Sequence, residues 1–218
     1  MDFLGIGPAE LRQGLILYIV LVASLSIHEW AHAFAADKLG DDTPRLQGRV
    51  TLNPIAHMDL LGTVIFPLVC IFILGGNFFF GWGKPVMVNH ANFKHKKRDD
   101  IITTLAGPFS NVVLALLASI AGGLVYRADP NTAELFMLII FLNVALAVFN
   151  MIPLPPLDGS RVMRHLVGMS EETYINLSRW SFLILMIGIN LPPVRAALGF
   201  AIQVCSVPYL IVYNALIG

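Results

Sequence analysis

Long apolar runs constrain this chain more than any other feature, because a bilayer core about 30 Å thick asks a spanning helix for about 20 apolar residues. Such runs predict membrane helices over residues 13–36, 102–126, 134–152, 177–191 and 196–217. A further apolar stretch, 60–83, is interrupted by Pro67, Gly75, Gly76, Gly81 and Gly83, and reads as a re-entrant hairpin or a span. Composition agrees: charged residues make up 13% and hydrophobic ones 56%, against roughly 25% and 45–50% in soluble domains. The expected fold is an all-α polytopic membrane protein of about five to six membrane helices with a re-entrant segment. Residues 1–218 are read as a single domain, with no internal repeat.

Charge excludes one class of partner. The 14 Lys and Arg are balanced by 14 Asp and Glu, so there is no global attraction to nucleic acid. The basic run Lys94–Arg98, placed just before an apolar run, reads as an anchor to anionic headgroups of the lipid bilayer. The first apolar run has no basic run before it and carries His28, Glu29 and His32 where a secretory signal would have a small-residue cleavage site; it reads as a retained helix. Cys70 and Cys205 lie in apolar stretches without CxxC spacing and read as buried small hydrophobes.

Chemistry enters at His28-Glu29-Trp30-Ala31-His32. Positions four apart share a helix face, so both imidazoles can reach one metal ion while Glu29 addresses a water on it. Zinc lowers the pKa of such a water toward about 7, and a neighbouring carboxylate takes its proton, which hydrolyses amides without a covalent intermediate. In a soluble helix the same pattern arises by chance on a solvated face. Here it follows about fourteen apolar residues, where each charge costs at least about 2–3 kcal/mol and needs a partner, a cavity or a metal.

Tetrahedral zinc needs a third protein ligand and an open fourth position. The best candidate is Asp158, at the end of Asn150-Met151-Ile152-Pro153-Leu154-Pro155-Pro156-Leu157-Asp158-Gly159, where three prolines break the helix and present a carboxylate. Taken alone, a proline-rich turn ending in Asp-Gly is more often a plain loop.

Three separated signals together resemble the site-2 proteases, intramembrane zinc metalloproteases. They are His28-Glu29-Trp30-Ala31-His32, Ala106-Gly107-Pro108-Phe109-Ser110-Asn111, and Asn150 through Gly159. Asn53 through Gly62 and Trp82-Gly83-Lys84-Pro85-Val86 are similar to the compact branch of that family, which lacks a peptide-binding PDZ domain. The resemblance implies one catalytic Zn2+ held by His28, His32 and Asp158, with Glu29 as general base. It also implies hydrolysis of peptide bonds in or near the transmembrane segments of single-span membrane proteins, in a prokaryotic cell membrane. Asn150 is a further catalytic or substrate-binding candidate, either donating its amide to an oxyanion, a role worth about 3–4 kcal/mol elsewhere, or simply capping a helix. His57 and Asp59, two apart after a turn signal, read as structural; His90, His95 and His165 read as solvated.

For Asp158 to reach the membrane face of the histidines, 60–83 must return rather than cross. On that reading Lys38, Arg45, Arg49, Lys84, Lys94, Lys96, Lys97, Arg98, Arg161, Arg164 and Arg179 share the histidine face, and Arg12, Arg127 and Arg195 lie opposite. This distribution favours an active site near the cytoplasmic face, an external N-terminus and a cytoplasmic C-terminus. Residues 45–52 alternate in a strand-like way, predicting a short membrane-associated β-hairpin whose edge pairs with an unwound substrate. Two other readings use the same residues: a transporter with intramembrane His, Glu and Asp along a permeation path, and an inactive scaffold.

Overall fold

A helix satisfies its own backbone in lipid, and four of the apolar runs form helices long and apolar enough to cross a membrane. The computed structural model describes residues 7–73 and 81–218, and the chain clusters into two compact units, Met1–Phe93 and Lys94–Gly218.

In the first unit, α1 (Pro8–Lys38) begins with Pro at its first position, where a missing N–H costs nothing. It ends in the Leu39-Gly40 turn, followed by the fully buried Asp41. The Asp41 carboxylate accepts from Thr43 N (3.2 Å), Thr43 Oγ1 (2.6 Å), Asn89 N (2.7 Å) and Asn92 Nδ2 (2.8 Å). A single turn, α2 (Thr43–Leu46), leads to a 3-10 turn over Pro54–His57. Asp59 then caps a π-helical turn over Leu60–Ile65, accepting from Leu61 N (3.0 Å) and Gly62 N (2.7 Å), and this runs into α3 (Phe66–Phe72).

The expected β-hairpin does not form, and there is no strand among the described residues. Gly48 takes φ +67 and Arg49 N donates to Pro44 O at 2.8 Å, so the backbone closes a turn where alternation suggested extension. Leu46 is 79% exposed, while the charged Arg49 is buried. Of the stretch 60–83, residues 74–80 lie outside the described residues. Its two ends lie together: Trp82 N donates to Gly62 O (3.0 Å), Thr63 Oγ1 to Trp82 O (2.7 Å), and Lys84 N to His57 O (2.8 Å).

The second unit comprises α4 (Lys96–Tyr126), α5 (Ala133–Asn150), α6 (Asp158–Val167), α7 (Glu171–Gly188) and α8 (Pro192–Ile217). Helices α4, α5 and α8 pack around Ala115, Ala118, Ile140, Val144 and Tyr213. Small residues let these backbones approach closely, as bilayer interfaces favour: a methyl group at Gly122 would lie 2.6 Å from Phe136 and 2.8 Å from Tyr213. One buried bond between helices joins α4 to α5, Asn111 Nδ2 to Asn143 Oδ1 at 2.9 Å.

Helix α7 starts at Glu171 rather than 177 because the Ser170 hydroxyl caps it, accepting from Thr173 N (3.2 Å). Its 18 residues therefore include Glu171, Glu172 and Arg179, and it is not among the four helices apolar enough to cross. Among the described residues four helices are long and apolar enough to cross a membrane. Cys70 is buried as expected, but Cys205 is exposed on α8.

Candidate active site

Helix α1 brings the first three predicted residues together. His28 and His32 lie one turn apart and are both buried, with Nε2 atoms 3.1 Å apart and rings edge to face at 4.7 Å between centroids. Two imidazole nitrogens on a tetrahedral zinc, each at about 2.0–2.1 Å, are about 3.3 Å from one another. The observed spacing thus fits a shared zinc ion, and both nitrogens are of a kind zinc takes.

Glu29 is partly buried, and its Oε2 accepts from Val86 N at 3.2 Å. The extended segment that supplies this amide passes close by. A methyl group at Gly83 would lie 2.9 Å from Glu29 Cγ and 3.2 Å from Oε1, so any larger residue there would displace the Glu29 side chain. One carboxylate oxygen is held by the backbone while the other borders the space that Gly83 leaves open.

Around this segment lie two buried groups, of which the sequence marked His57 as structural and gave Arg49 no role at the site. The Arg49 guanidinium is buried and donates to Ala56 O and Lys84 O. Burial pushes it below its ordinary value, opposed by the negative charge of Glu29. His57, also buried, bonds Thr51 O through Nε2 at 2.7 Å; burial lowers its pKa, and the nearby Arg49 charge adds to that effect. The structural role expected of His57 and Asp59 agrees with these bonds.

The second unit positions Asp158 and Asn150. Asn150 ends α5 and donates its amide to Leu146 O at 3.0 Å, the ordinary return bond of a helix terminus. Met151 to Leu157 then turn through the three prolines, with a cis bond between Pro155 and Pro156. Asp158 is the first residue of α6, where the helix dipole favours a carboxylate, and it is partly buried. Gly159 is fixed by packing: a methyl group there would lie 2.2 Å from Met151 O.

Two contacts hold α6 in place. Ser160 Oγ donates to Leu157 O (2.6 Å) and bonds the Tyr174 hydroxyl of α7 (2.9 Å). His165 Nε2 meets Asp100 Oδ2 of α4 at 2.5 Å. His165 is therefore not the solvated histidine expected, and its side chain is 20% exposed. His90 is partly buried with its ring against Phe93 at 6.0 Å, whereas His95 is exposed as expected.

Two histidines one turn apart with a glutamate between them define half of a metallohydrolase centre, set in an apolar helix. Known proteins supply the family. The model of peptidase family M50 matches residues 125–189. A Bacillus subtilis protein provisionally named zinc metalloprotease YwhC is 41% identical over 159 residues, which are 69% of this chain and 68% of that protein. Rip2 of Mycolicibacterium smegmatis, also provisionally named a zinc metalloprotease, is 33% identical over 181 residues, covering 78% of this chain and 66% of its own. Rip2 of Mycobacterium tuberculosis H37Rv is 31% identical over 150 residues, 66% of this chain and 55% of its own. The chain thus spans about two thirds of the first two relatives and little more than half of the third. No solved structure matches it. The chain belongs to peptidase family M50, the zinc metalloproteases of the site-2 type.

Proposed function

We propose that this protein is an intramembrane zinc metalloendopeptidase acting on single-span membrane proteins, within or near their transmembrane segments, in a prokaryotic cell membrane. The observation that carries the reading is the convergence of His28 and His32 Nε2, 3.1 Å apart in an apolar helix, beside a Glu29 carboxylate held by Val86 N–H.

In this proposal His28, His32 and Asp158 hold one zinc ion, and residues 1–218 act as a single catalytic domain. Bound zinc supplies Lewis acidity toward the scissile carbonyl and eases ionisation of the attacking water. Glu29 accepts the water proton and returns it to the leaving amine, as a base of fixed orientation does. Asn150 has a second amide N–H beyond the one given to Leu146, and we assign it to the substrate backbone or the developing oxyanion.

The meeting of Gly62 with Trp82 supports a re-entrant course for 60–83, since a segment spanning about 30 Å does not return to its start. With that course and the span over 177–191 read from hydropathy, eleven of the 14 basic residues fall on the histidine face, supporting a cytoplasmic active site. Accessibility labelling of single cysteines placed at 90 and 130 tests this, and labelling from one side for both defeats it.

The test of function is cleavage of single-span reporter proteins by the detergent-purified chain and its Glu29→Gln variant, with bound zinc assayed in both. Cleavage by the native chain only, with zinc in both, supports the protease. Zinc flux across proteoliposomes, equal in both chains and without cleavage, would replace it with a transporter.

A further inference from the structure

Arg49 is a buried cation that donates to two backbone carbonyls from distant parts of the first unit. One is Ala56, in the 3-10 turn that His57 anchors to Thr51 O. The other is Lys84, two residues before the amide that holds Glu29. Burying a guanidinium costs several kcal/mol unless its donors are satisfied, so a merely structural staple between two carbonyls is more cheaply made by a neutral amide.

We propose that Arg49 is a positioning residue for Glu29, fixing the segment 81–86 through Lys84 O so that Val86 N–H holds the glutamate carboxylate at one orientation. This rests on the reading of Glu29 as general base, and deepens it. A fork with several donors in one plane reaches two carbonyls at once, which the single ammonium of lysine does not. Lys84 O, Val86 N and Glu29 Oε2 then form one chain of contacts from the buried cation to the base. A misplacement of the order of 1 Å at a catalytic group costs on the order of 100-fold in rate.

The experiment compares the native chain, Arg49→Met and Arg49→Lys for reporter cleavage, bound zinc, melting temperature and amide hydrogen exchange in the peptide carrying Val86. Arg49→Met is expected to lower kcat on the order of 10- to 100-fold, with KM changed by less than about twofold. Zinc content stays native, and Val86 exchanges faster. Arg49→Lys recovers part of both. Native kcat in Arg49→Met, or unchanged Val86 exchange in both variants, overturns the proposal, as does loss of zinc in step with loss of kcat. Should Arg49→Met fail to fold, Arg49→Lys decides by the same readouts. A native chain that cleaves no reporter defeats the protease reading instead, and the exchange measurement alone then judges the brace.

Discussion

Replacing Asp41 with alanine removes the acceptor at the centre of a corner that joins the end of α1 to residues 89–92. Its carboxylate takes four hydrogen bonds at 2.6–3.2 Å and has no exposed surface. A hydrogen bond to a charged group is worth about 1.5–3 kcal/mol net, which for four would give 6 kcal/mol or more. The sum overstates the loss, because Asn89 and Asn92 are exposed and their donors can turn to water. Counting one to two bonds as lost outright gives about 2–4 kcal/mol. At about 2–4 °C per kcal/mol for a chain of this size, the melting temperature should fall by roughly 5–15 °C. Asp41→Asn keeps one oxygen but points an amide N–H at Asn89 N–H, and should fall between the native chain and the alanine variant.

The acid dependence supplies an independent check. Burial alone would raise the Asp41 pKa, but bonds from Thr43, Asn89 and Asn92 outweigh it and hold the carboxyl below its ordinary value of 3.8. A depressed carboxylate stabilises the fold above its unfolded pKa and loses that contribution as pH falls through the folded one. The gap in stability between the native chain and Asp41→Asn should therefore be constant above about pH 5 and narrow below about pH 4. Thermal melts in detergent across that range test it. A melting temperature for Asp41→Ala within about 2 °C of native at neutral pH would refute the reasoning.

Other perturbations separate contacts that look alike on paper. Arg45 grips Asp37 through two bonds of 2.7 Å, yet its side chain is 65% exposed, so Arg45→Ala should leave the melting temperature close to native and any loss should shrink in salt. Gly83→Ala places a methyl group 2.9 Å from Glu29 Cγ; the side chain can shift, so stability should change by no more than about 1 kcal/mol while reporter cleavage drops about tenfold or more. Gly159→Ala meets backbone at 2.2 Å, which cannot shift cheaply, and should lower the melting temperature sharply or prevent accumulation of folded protein. His165→Ala strands the Asp100 carboxylate, 8% exposed, of one partner and should cost about 1–3 kcal/mol, seen as faster hydrogen exchange in α6.

What the sequence made legible follows from the range of each interaction. The approach of His28 and His32 on one face was readable because four-residue spacing is a local property of any helix, and the helix break before Asp158 because three prolines announce it. Helix ends were less so. Hydropathy placed the start of α4 at 102 and of α7 at 177, but polar residues extend them to Lys96 and Glu171, the latter helix capped by Ser170. The long-range bonds of Arg49 and Asp41 carry no local signal, since Lys84 and Asn89 lie 35 and 48 residues away. The strand expected over 45–52 failed for the same reason: alternation describes a face, and the fold turned the charged residue inward. His165 looked solvated because its partner, Asp100, is 65 residues distant.

The polar side chains within the apolar helices bear on how this chain is made. Ser26 donates to Val22 O, Ser119 to Ala115 O, Asn143 to Ile139 O, Ser181 to Leu177 O and Ser206 to Ile202 O, each to the carbonyl four residues before it. A hydroxyl or amide satisfied in this way is neutralised within its own segment, so a nascent helix can leave the translocation machinery for lipid without waiting for a neighbour. The bond from Asn111 to Asn143 is of another kind, because it closes only after α4 and α5 have both inserted. It acts as a register mark for assembly: slippage of either helix by one turn leaves an amide facing hydrocarbon, so that a misaligned pair is selected against before the hydrolytic centre is complete.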